Sequence, residues 1–358
     1  MIRTIRCISL VACAVTALPA AAAAAKPAPS TDCTLKRYAS VDLSVTPGSV
    51  RVPVTIDNET EWMTLNIQSS MTVMSKAFAA RKGFVIKDIP GRQTVSFGGR
   101  QVTQYAVIHS FAIGTLPFQT VDFLLLPQSG PSAPSAARET IGALGIDVLG
   151  KTDVEIDFRN KKLNLYSQDH CPGAGVYWAK SYAFAPIRRG KLGNAFLPFE
   201  LDGKKIQATL STSILLTSLP TDLTKRMYGF DEHSPGIETE TDTSGHTTSQ
   251  YRAMAITAPG LRLNNTRVRL DPRRSSCGLD VNNGPDRAAQ YTECMGEEAP
   301  LHIGLDVLEK LHLYFATKEN VLYYTAADAA DTRAGDTAAA DTGAADTKPS
   351  LPGTPTAQ

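Results

Sequence analysis

An internal repeat runs through this 358-residue chain. Residues 63–66 align with residues 208–211, so that Asn66 stands opposite Ser211 at an offset of 145 positions. The flanking matches keep the same order in both copies, which predicts two lobes of similar structure. These matches pair residues 52–57 with 197–202, 81–84 with 226–230, 103–105 with 249–251, and 145–149 with 304–308.

Each copy of the repeat has the composition of β-strands separated by turns. Residues 52–56 are apolar and partly β-branched, and Asp57 and Asn58 after them favour a turn. The sequence therefore predicts a mainly β fold with two lobes, at residues 33–171 and 195–325, joined by a linker at residues 172–194. Short helices are predicted at residues 76–82 and 221–227, and a hairpin with a Gly-Gly turn is predicted at residues 95–102.

The N-terminus has the pattern of a secretory signal peptide. Two arginines precede an apolar run from Cys7 to Leu18, and an Ala-x-Ala cleavage site ends near Ala25. The run is shorter than the ~20 residues that span a bilayer, so no membrane span is expected. We therefore predict that residues 1–25 are removed and that the protein is periplasmic or secreted. A lipoprotein signal at Cys13 is the minor alternative.

Four cysteines remain after the predicted cleavage site. An even number of cysteines in an exported chain indicates two disulfides, with free thiols as the alternative. Three pairings are possible, and we favour the one that keeps each pair within one copy of the repeat. That pairing is Cys33–Cys171 and Cys277–Cys294.

Composition excludes several classes of function. The formal net charge of +1 gives no strong field to attract nucleic acid or an anionic membrane. The six histidines form no His-x-x-x-His pair and no cluster with cysteine, so we expect neither a metal site nor a cofactor. Residues 326–358 are rich in Ala, Asp and Thr and have little to bury, which predicts a disordered tail.

The repeat unit resembles the retropepsin-like aspartic protease family in its bacterial exported form. In that family each lobe has a strand that ends in Asp-Thr-Gly-Ala, then a flap hairpin, an apolar segment that ends in Gly, and a closing strand. The resemblance covers roughly residues 50–325 and implies two pepsin-like β-barrel lobes with a cleft between them. Its counterparts here are residues 65–75 and 210–219 for the signature, 143–149 and 302–308 for the Gly segment, 156–158 for the closing strand, and Phe97, Gly98, Gly99 and His246 for the flaps.

The chain departs from this family at the positions that perform the chemistry. The family uses two carboxyl groups that share one proton, whereas the resemblance places Asn66 and Ser211 there. Neither an amide nor an unassisted hydroxyl can take a proton from the attacking water. A homodimer would pair Asn66 with Asn66 or Ser211 with Ser211, so no assembly restores an aspartate. The flanking positions differ as well: Ile67 and Gln68 in the first lobe, and Ser213 after Thr212 in the second.

Other candidate groups are weaker. Asp147 and Asp306 follow the Gly of each apolar segment, where the family often has Asp in intact enzymes. Ser211 with His246 would be a nucleophile and base, but the sequence has no Gly-x-Ser-x-Gly elbow around Ser211. Residues 341–343 spell Asp-Thr-Gly, but they stand in an Ala-Asp-Thr repetition with no strand before them.

These observations predict a catalytically inactive homologue, a monomer that binds an extended peptide or a partner protein in the cleft. Two alternatives remain open. One is an aspartic-type endopeptidase with atypical active-site residues, and the other is a structural protein of the cell envelope.

Overall fold

The computed structural model describes residues 33–92, 95–97, 100–127, 140–190, 195–241, 247–272 and 301–328. Strands dominate, as predicted, because side chains alternate between buried and more exposed positions along segments such as Ser49–Ile56. The strands of the first half are β1 (Arg37–Asp42), β2 (Ser44–Thr46), β3 (Ser49–Ile56), β4 (Glu59–Leu65), β5 (Val73–Ser75), β6 (Val85–Asp88), β7 (Val95–Phe97), β8 (Arg100–Val102), β9 (Gln104–Ile108), β10 (Phe111–Ile113), β11 (Leu116–Phe118), β12 (Val121–Leu126), β13 (Gly142–Leu144), β14 (Asp153–Asp157) and β15 (Lys162–Tyr166).

The rest of the chain adds eleven described strands. They are β16 (Ala183–Pro186), β17 (Arg188–Arg189), β18 (Ala195–Leu201), β19 (Lys204–Leu210), β20 (Ser218–Pro220), β21 (Glu238–Thr241), β22 (Thr247–Ala258), β23 (Leu261–Asp271), β24 (Leu301–Ile303), β25 (Leu311–Ala316) and β26 (Val321–Ala326).

Within the described residues, four short α-helices interrupt the strands, and a 3₁₀ turn lies at Pro90–Arg92. The two predicted helices are confirmed, although the second extends one residue further, to Tyr228. Among the described residues, no helix is long and apolar enough to cross a membrane. The helices are α1 (Lys76–Lys82), α2 (Ile146–Leu149), α3 (Thr221–Tyr228) and α4 (Leu305–Leu308).

The internal repeat is visible in the strand pairing. The first half contains the order β3-β4-β13-β5-β12-β9 within a ten-stranded sheet, and the second half contains β18-β19-β24-β20-β23-β22 within an eight-stranded sheet. Parallel and antiparallel pairs alternate identically: β4–β13 and β19–β24 are parallel, and β13–β5 and β24–β20 are antiparallel. The predicted mainly β fold with two repeated lobes and short helices is therefore confirmed.

A six-stranded sheet joins the two halves. Its order is β1-β15-β14-β25-β26-β16, and the closing strands β14 and β25 pair antiparallel with Ile156 opposite Leu313. Val154 and Ile156 belong to the main apolar core, which contains residues of both halves. The intervening residues of β14 are Asp153, Glu155 and Asp157, which therefore lie on the other face of the sheet. That face carries the smaller apolar cluster around Trp178 and Tyr314.

The segment predicted as a linker contributes to this sheet. Within residues 172–190, β16 pairs with β26, and Val176 and Trp178 are buried against Tyr314. Apolar side chains at these positions explain why the segment packs on the sheet. Residues 191–194, the predicted signal peptide at residues 1–25 and the tail beyond residue 328 lie outside the described residues.

One of the two predicted disulfides is confirmed. Cys33 and Cys171 are bonded with a Cα–Cα distance of 4.7 Å, and they tie the start of the described chain to the segment that follows β15. Cys277 and Cys294 lie outside the described residues.

Candidate functional site

The turns that carry Asn66 and Ser211 occupy equivalent places in the two halves. Asn66 follows β4, and its backbone N–H donates to the Leu144 carbonyl at 3.0 Å. Ser211 follows β19, and its N–H donates to the Ile303 carbonyl at 2.9 Å. Each turn therefore emerges between two parallel strands, β4 and β13 in one half and β19 and β24 in the other.

The two turns are in contact with each other. The Thr212 hydroxyl donates to the Leu65 carbonyl at 2.5 Å, and the Val50 N–H donates to the Thr212 carbonyl at 3.3 Å. Thr212 is fully buried. At the matching position of the first half, Ile67 has no hydroxyl and is 7% exposed. The second half therefore donates a side-chain hydrogen bond to the first half, and Ile67 of the first half cannot donate one in return.

The side chains at the two predicted dyad positions engage their own turns. Asn66 is half-buried, and its Oδ1 accepts a 3.1 Å hydrogen bond from the Ser69 N–H. Ser211 is fully buried, and its hydroxyl lies 3.3 Å from that of Ser213. Among the described residues, the side-chain partner of the Ser211 hydroxyl is therefore another hydroxyl, which is not a base that could activate it.

A polar pair between the halves lies beside these turns. Gln68 Nε2 is 3.1 Å from His302 Nδ1, and both side chains are half-buried. Sequence reasoning missed His302, although a signal existed. The repeat aligns His302 with Ala143, two residues before the Gly of each copy, so a histidine there is a visible departure between the two copies.

Asp147 and Asp306 hold loops within their own halves. Asp147 accepts hydrogen bonds from the Thr72 N–H at 2.9 Å and from the Thr72 hydroxyl at 2.6 Å. Asp306 accepts the same two bonds from Thr217, both at 2.9 Å. Burial raises the pKa of Asp306, and the bonds from Thr217 oppose that rise. These hydrogen bonds give both aspartates a structural role, and none of the bonds involves Asn66 or Ser211.

The glycines before these aspartates permit close approach of the backbone. A Cβ on Gly145 would lie 2.6 Å from the Met71 carbonyl carbon, and a Cβ on Gly304 would lie 2.7 Å from the Leu216 carbonyl carbon. Both distances are too short for a side chain, which explains the apolar-apolar-Gly pattern in each copy.

The hairpin predicted at residues 95–102 is present as a strand pair. β7 and β8 pair antiparallel, with Phe97 opposite Arg100. The turn residues Gly98 and Gly99 lie outside the described residues, as does His246 of the second half.

A second polar cluster lies on the six-stranded sheet. Glu155 is 1% exposed and accepts hydrogen bonds from Tyr166 at 2.7 Å and from Tyr177 at 3.0 Å. His312 Nε2 lies 2.7 Å from Glu155 Oε1. Burial raises the pKa of Tyr177 to about 12 and also raises that of Tyr166, so both hydroxyls remain donors.

The neighbouring carboxylate of this cluster pairs with a different histidine. Asp153 Oδ2 lies 2.7 Å from His170 Nε2, and both side chains are buried. Burial by itself lowers the pKa of His170, but the contacts with the Cys171 carbonyl and Asp153 outweigh it, so the pKa is raised overall. Sequence reasoning did not identify either pair, because each histidine is distant in sequence from its carboxylate.

No family model matches the sequence, and no curated protein matches it. Among solved structures, the chain is similar to an aspartic proteinase from Irpex lacteus, with a TM-score of 0.49 and 13% identity, over 82% of this chain and 98% of that chain. It is also similar to the basic 7S globulin from soybean, with a TM-score of 0.45 and 10% identity, over 83% of this chain and 95% of that chain. The division into two repeated halves follows from the strand order of their sheets.

Proposed function

We propose that the protein is a catalytically inactive relative of the aspartic proteases that binds an extended peptide, or a segment of a partner protein, between its two halves. The observation that carries this proposal is the contact between the two turns. Because Thr212 of one half donates to the carbonyl of Leu65 in the other, Asn66 and Ser211 belong to turns that meet at one junction.

The chemistry at this junction favours binding over hydrolysis. Aspartic protease catalysis needs one ionised carboxyl group to take a proton from water and one protonated carboxyl group to donate to the peptide carbonyl. Asn66 offers an amide that does not titrate, and Ser211 offers a buried hydroxyl. Loss of both carboxyl groups also removes the cost of placing two like charges side by side.

An extended peptide suits the groups near the junction. Gln68 and His302 come from opposite halves and both remain partly accessible, so a ligand at the junction can contact each half. The β7–β8 pair supplies strands of the kind that bind peptides through backbone hydrogen bonds.

We also propose that the protein acts outside the cytoplasm, as a periplasmic or secreted protein. The Cys33–Cys171 disulfide supports this location, because disulfides persist in oxidising compartments.

The binding proposal can be tested with a fluorescent peptide library and anisotropy. We expect at least one peptide to bind, and we expect Gln68→Trp, which places a bulky ring beside His302, to weaken that binding by about tenfold or more. Lys225→Ala is the matched control, because Lys225 is 72% exposed on α3, and it should leave the affinity unchanged. Binding that is insensitive to Gln68→Trp, in a variant with wild-type thermal stability, would count against the junction as the binding site.

A further inference from the structure

Three buried side chains on the six-stranded sheet bring together donor atoms suited to a metal ion. Glu155 and Asp157 lie two residues apart on β14, so they share a face, and His312 on β25 is directly opposite Asp157. One ligand atom from each residue lies within 4.8 Å of the other two. The three side chains are 1%, 8% and 3% exposed, respectively.

With two carboxylates and one imidazole, this group carries an excess of negative charge. His312 Nε2 lies 2.7 Å from Glu155 Oε1, and Asp157 accepts hydrogen bonds from the Asn160 N–H at 2.9 Å and from the Asn160 side-chain amide at 2.7 Å. Lys162 lies opposite Asp157 on β15, but its amine pairs with Asp42 at 2.7 Å. Buried carboxylates need a paired cation or a metal ion. A divalent cation would provide the missing positive charge.

An orphaned oxygen gives a second, independent indication. Asn164 is 5% exposed and lies directly opposite Glu155 on β15, and its Nδ2 donates to Glu155 Oε2 at 3.0 Å. Its Oδ1 has no hydrogen-bond partner among the described residues. Because both atoms belong to one amide group held against Glu155, this oxygen lies beside the same carboxylate. A cation bound by Glu155 would give it a partner.

The surroundings resemble the outer layer of a metal site. The hydroxyls of Tyr166 and Tyr177 hydrogen-bond to Glu155 and orient it, as outer groups commonly orient carboxylate ligands. The indole of Trp178 stacks on the imidazole of His312, with ring centroids 3.9 Å apart and planes inclined by 5°. This stacking fixes the plane of the imidazole.

We propose that Glu155, Asp157 and His312 form a binding site for Zn²⁺ or a similar first-row divalent ion. One imidazole nitrogen with carboxylate oxygens suits such ions, whereas Ca²⁺ and Mg²⁺ favour oxygen ligands alone. Ligand bonds of about 2.0–2.1 Å in a tetrahedral site separate neighbouring ligand atoms by about 3.3 Å, so the 2.7 Å contact between His312 and Glu155 must open by about 0.6 Å. The site is independent of the proposed peptide-binding function.

The wide separation of the ligands in the sequence explains why no metal site was predicted from it. Glu155 and His312 lie 157 positions apart, so no short motif contains both. They become neighbours because the closing strands of the two halves pair in one sheet.

Calorimetric titration of untagged, EDTA-treated full-length protein with Zn²⁺ tests the proposal. We expect one equivalent to bind and to raise Tm, and we expect His312→Gln to weaken that binding by about 100-fold. His109→Gln is the control, because it removes a histidine at an exposed position and should leave the affinity unchanged. Absence of binding to the wild-type protein, or equal affinity and stoichiometry in His312→Gln, would overturn the proposal.

A fluorescence titration keeps the test decisive if His312→Gln fails to fold. The chain has two tryptophans, so Trp62→Phe leaves Trp178 as the single indole. Because Trp178 stacks on His312, Co²⁺ bound at His312 should quench its fluorescence and saturate near one equivalent. Zn²⁺ added first should prevent the quenching. Fluorescence that Co²⁺ leaves unchanged would overturn the proposal.

Discussion

The Thr212 hydroxyl of the second half donates a 2.5 Å hydrogen bond to the Leu65 carbonyl of the first half. Thr212 is fully buried, so no water replaces that bond when the hydroxyl is removed. This contact fixes the two turns that carry Asn66 and Ser211 against each other. Its acceptor is the backbone carbonyl of Leu65, and its donor is the side chain of Thr212. It therefore persists whatever residue stands at position 66.

Replacement of Thr212 by the similarly shaped valine should destabilise the protein. A buried carbonyl that loses its donor costs about 1–3 kcal/mol in the free energy of unfolding, which urea denaturation measures. Thr115→Val is the control, because it removes a hydroxyl that donates to the Tyr38 carbonyl at an exposed site. We expect that change to stay within about 0.5 kcal/mol. Equal losses in the two variants would show that the Thr212 bond has no special role.

Restoring both aspartates should not restore an enzyme. In the double variant Asn66→Asp with Ser211→Asp, the carboxyl group at position 211 enters a fully buried site, which disfavours its charged form. Ile67, Gln68 and Ser213 still differ from the family pattern on either side. We expect the double variant to cleave peptides no more than the wild type does across an acidic pH series, with products read by mass spectrometry. A large gain in cleavage would show that the flanking residues do not limit the site.

Local sequence patterns were sufficient to predict several of the strands, the helices α1 and α3, and the repeat. Alternating apolar residues predict strands such as β3, and Pro220 with Thr221 marks the start of α3. The Cys33–Cys171 pairing followed because the repeat divides the cysteines into two pairs. These features depend on neighbours in sequence or on the order of segments, and both can be read from one chain.

Contacts between distant segments could not be predicted in the same way. Gln68 and His302 lie 234 positions apart, and their contact depends on how the two halves dock. The histidine and carboxylate pairs on β14 depend on the pairing of β14 with β25 and on the packing of the segment near Trp178. That segment was predicted as a linker, because it lies between the two copies of the repeat.

Loss of the Cys33–Cys171 disulfide should lower stability substantially. The bond closes a loop with a sequence separation of 138, for which the chain-entropy model gives about 5 kcal/mol, and measured losses for native disulfides are about 2–5 kcal/mol. We expect a loss in that measured range for Cys33→Ser with Cys171→Ser under oxidising conditions. Adding reductant should narrow the difference between this variant and the wild type. A difference that reductant leaves unchanged would contradict the assignment.

His170 should make stability depend on pH. Its pKa is raised in the folded protein, and it contacts the Cys171 carbonyl at 2.9 Å, Asp153 at 2.7 Å, Tyr314 at 3.2 Å and Glu319 at 3.8 Å. A raised histidine pKa gives stabilisation that is complete below the unfolded pKa and is lost as pH rises through the folded pKa. The stability advantage of wild type over His170→Gln should therefore be larger in mildly acid than in alkaline buffer. An advantage that grows with pH would contradict this sign.

Incubation of the purified protein with a mixed peptide pool over a wide pH range tests the central proposal most directly, with products read by mass spectrometry. We expect the pool to remain intact at every pH, because no carboxyl group stands at position 66 or 211 to exchange a proton with water. Cleavage that disappears in Ser211→Ala, or in a variant of His246, would contradict it and would show that the junction retains a catalytic group.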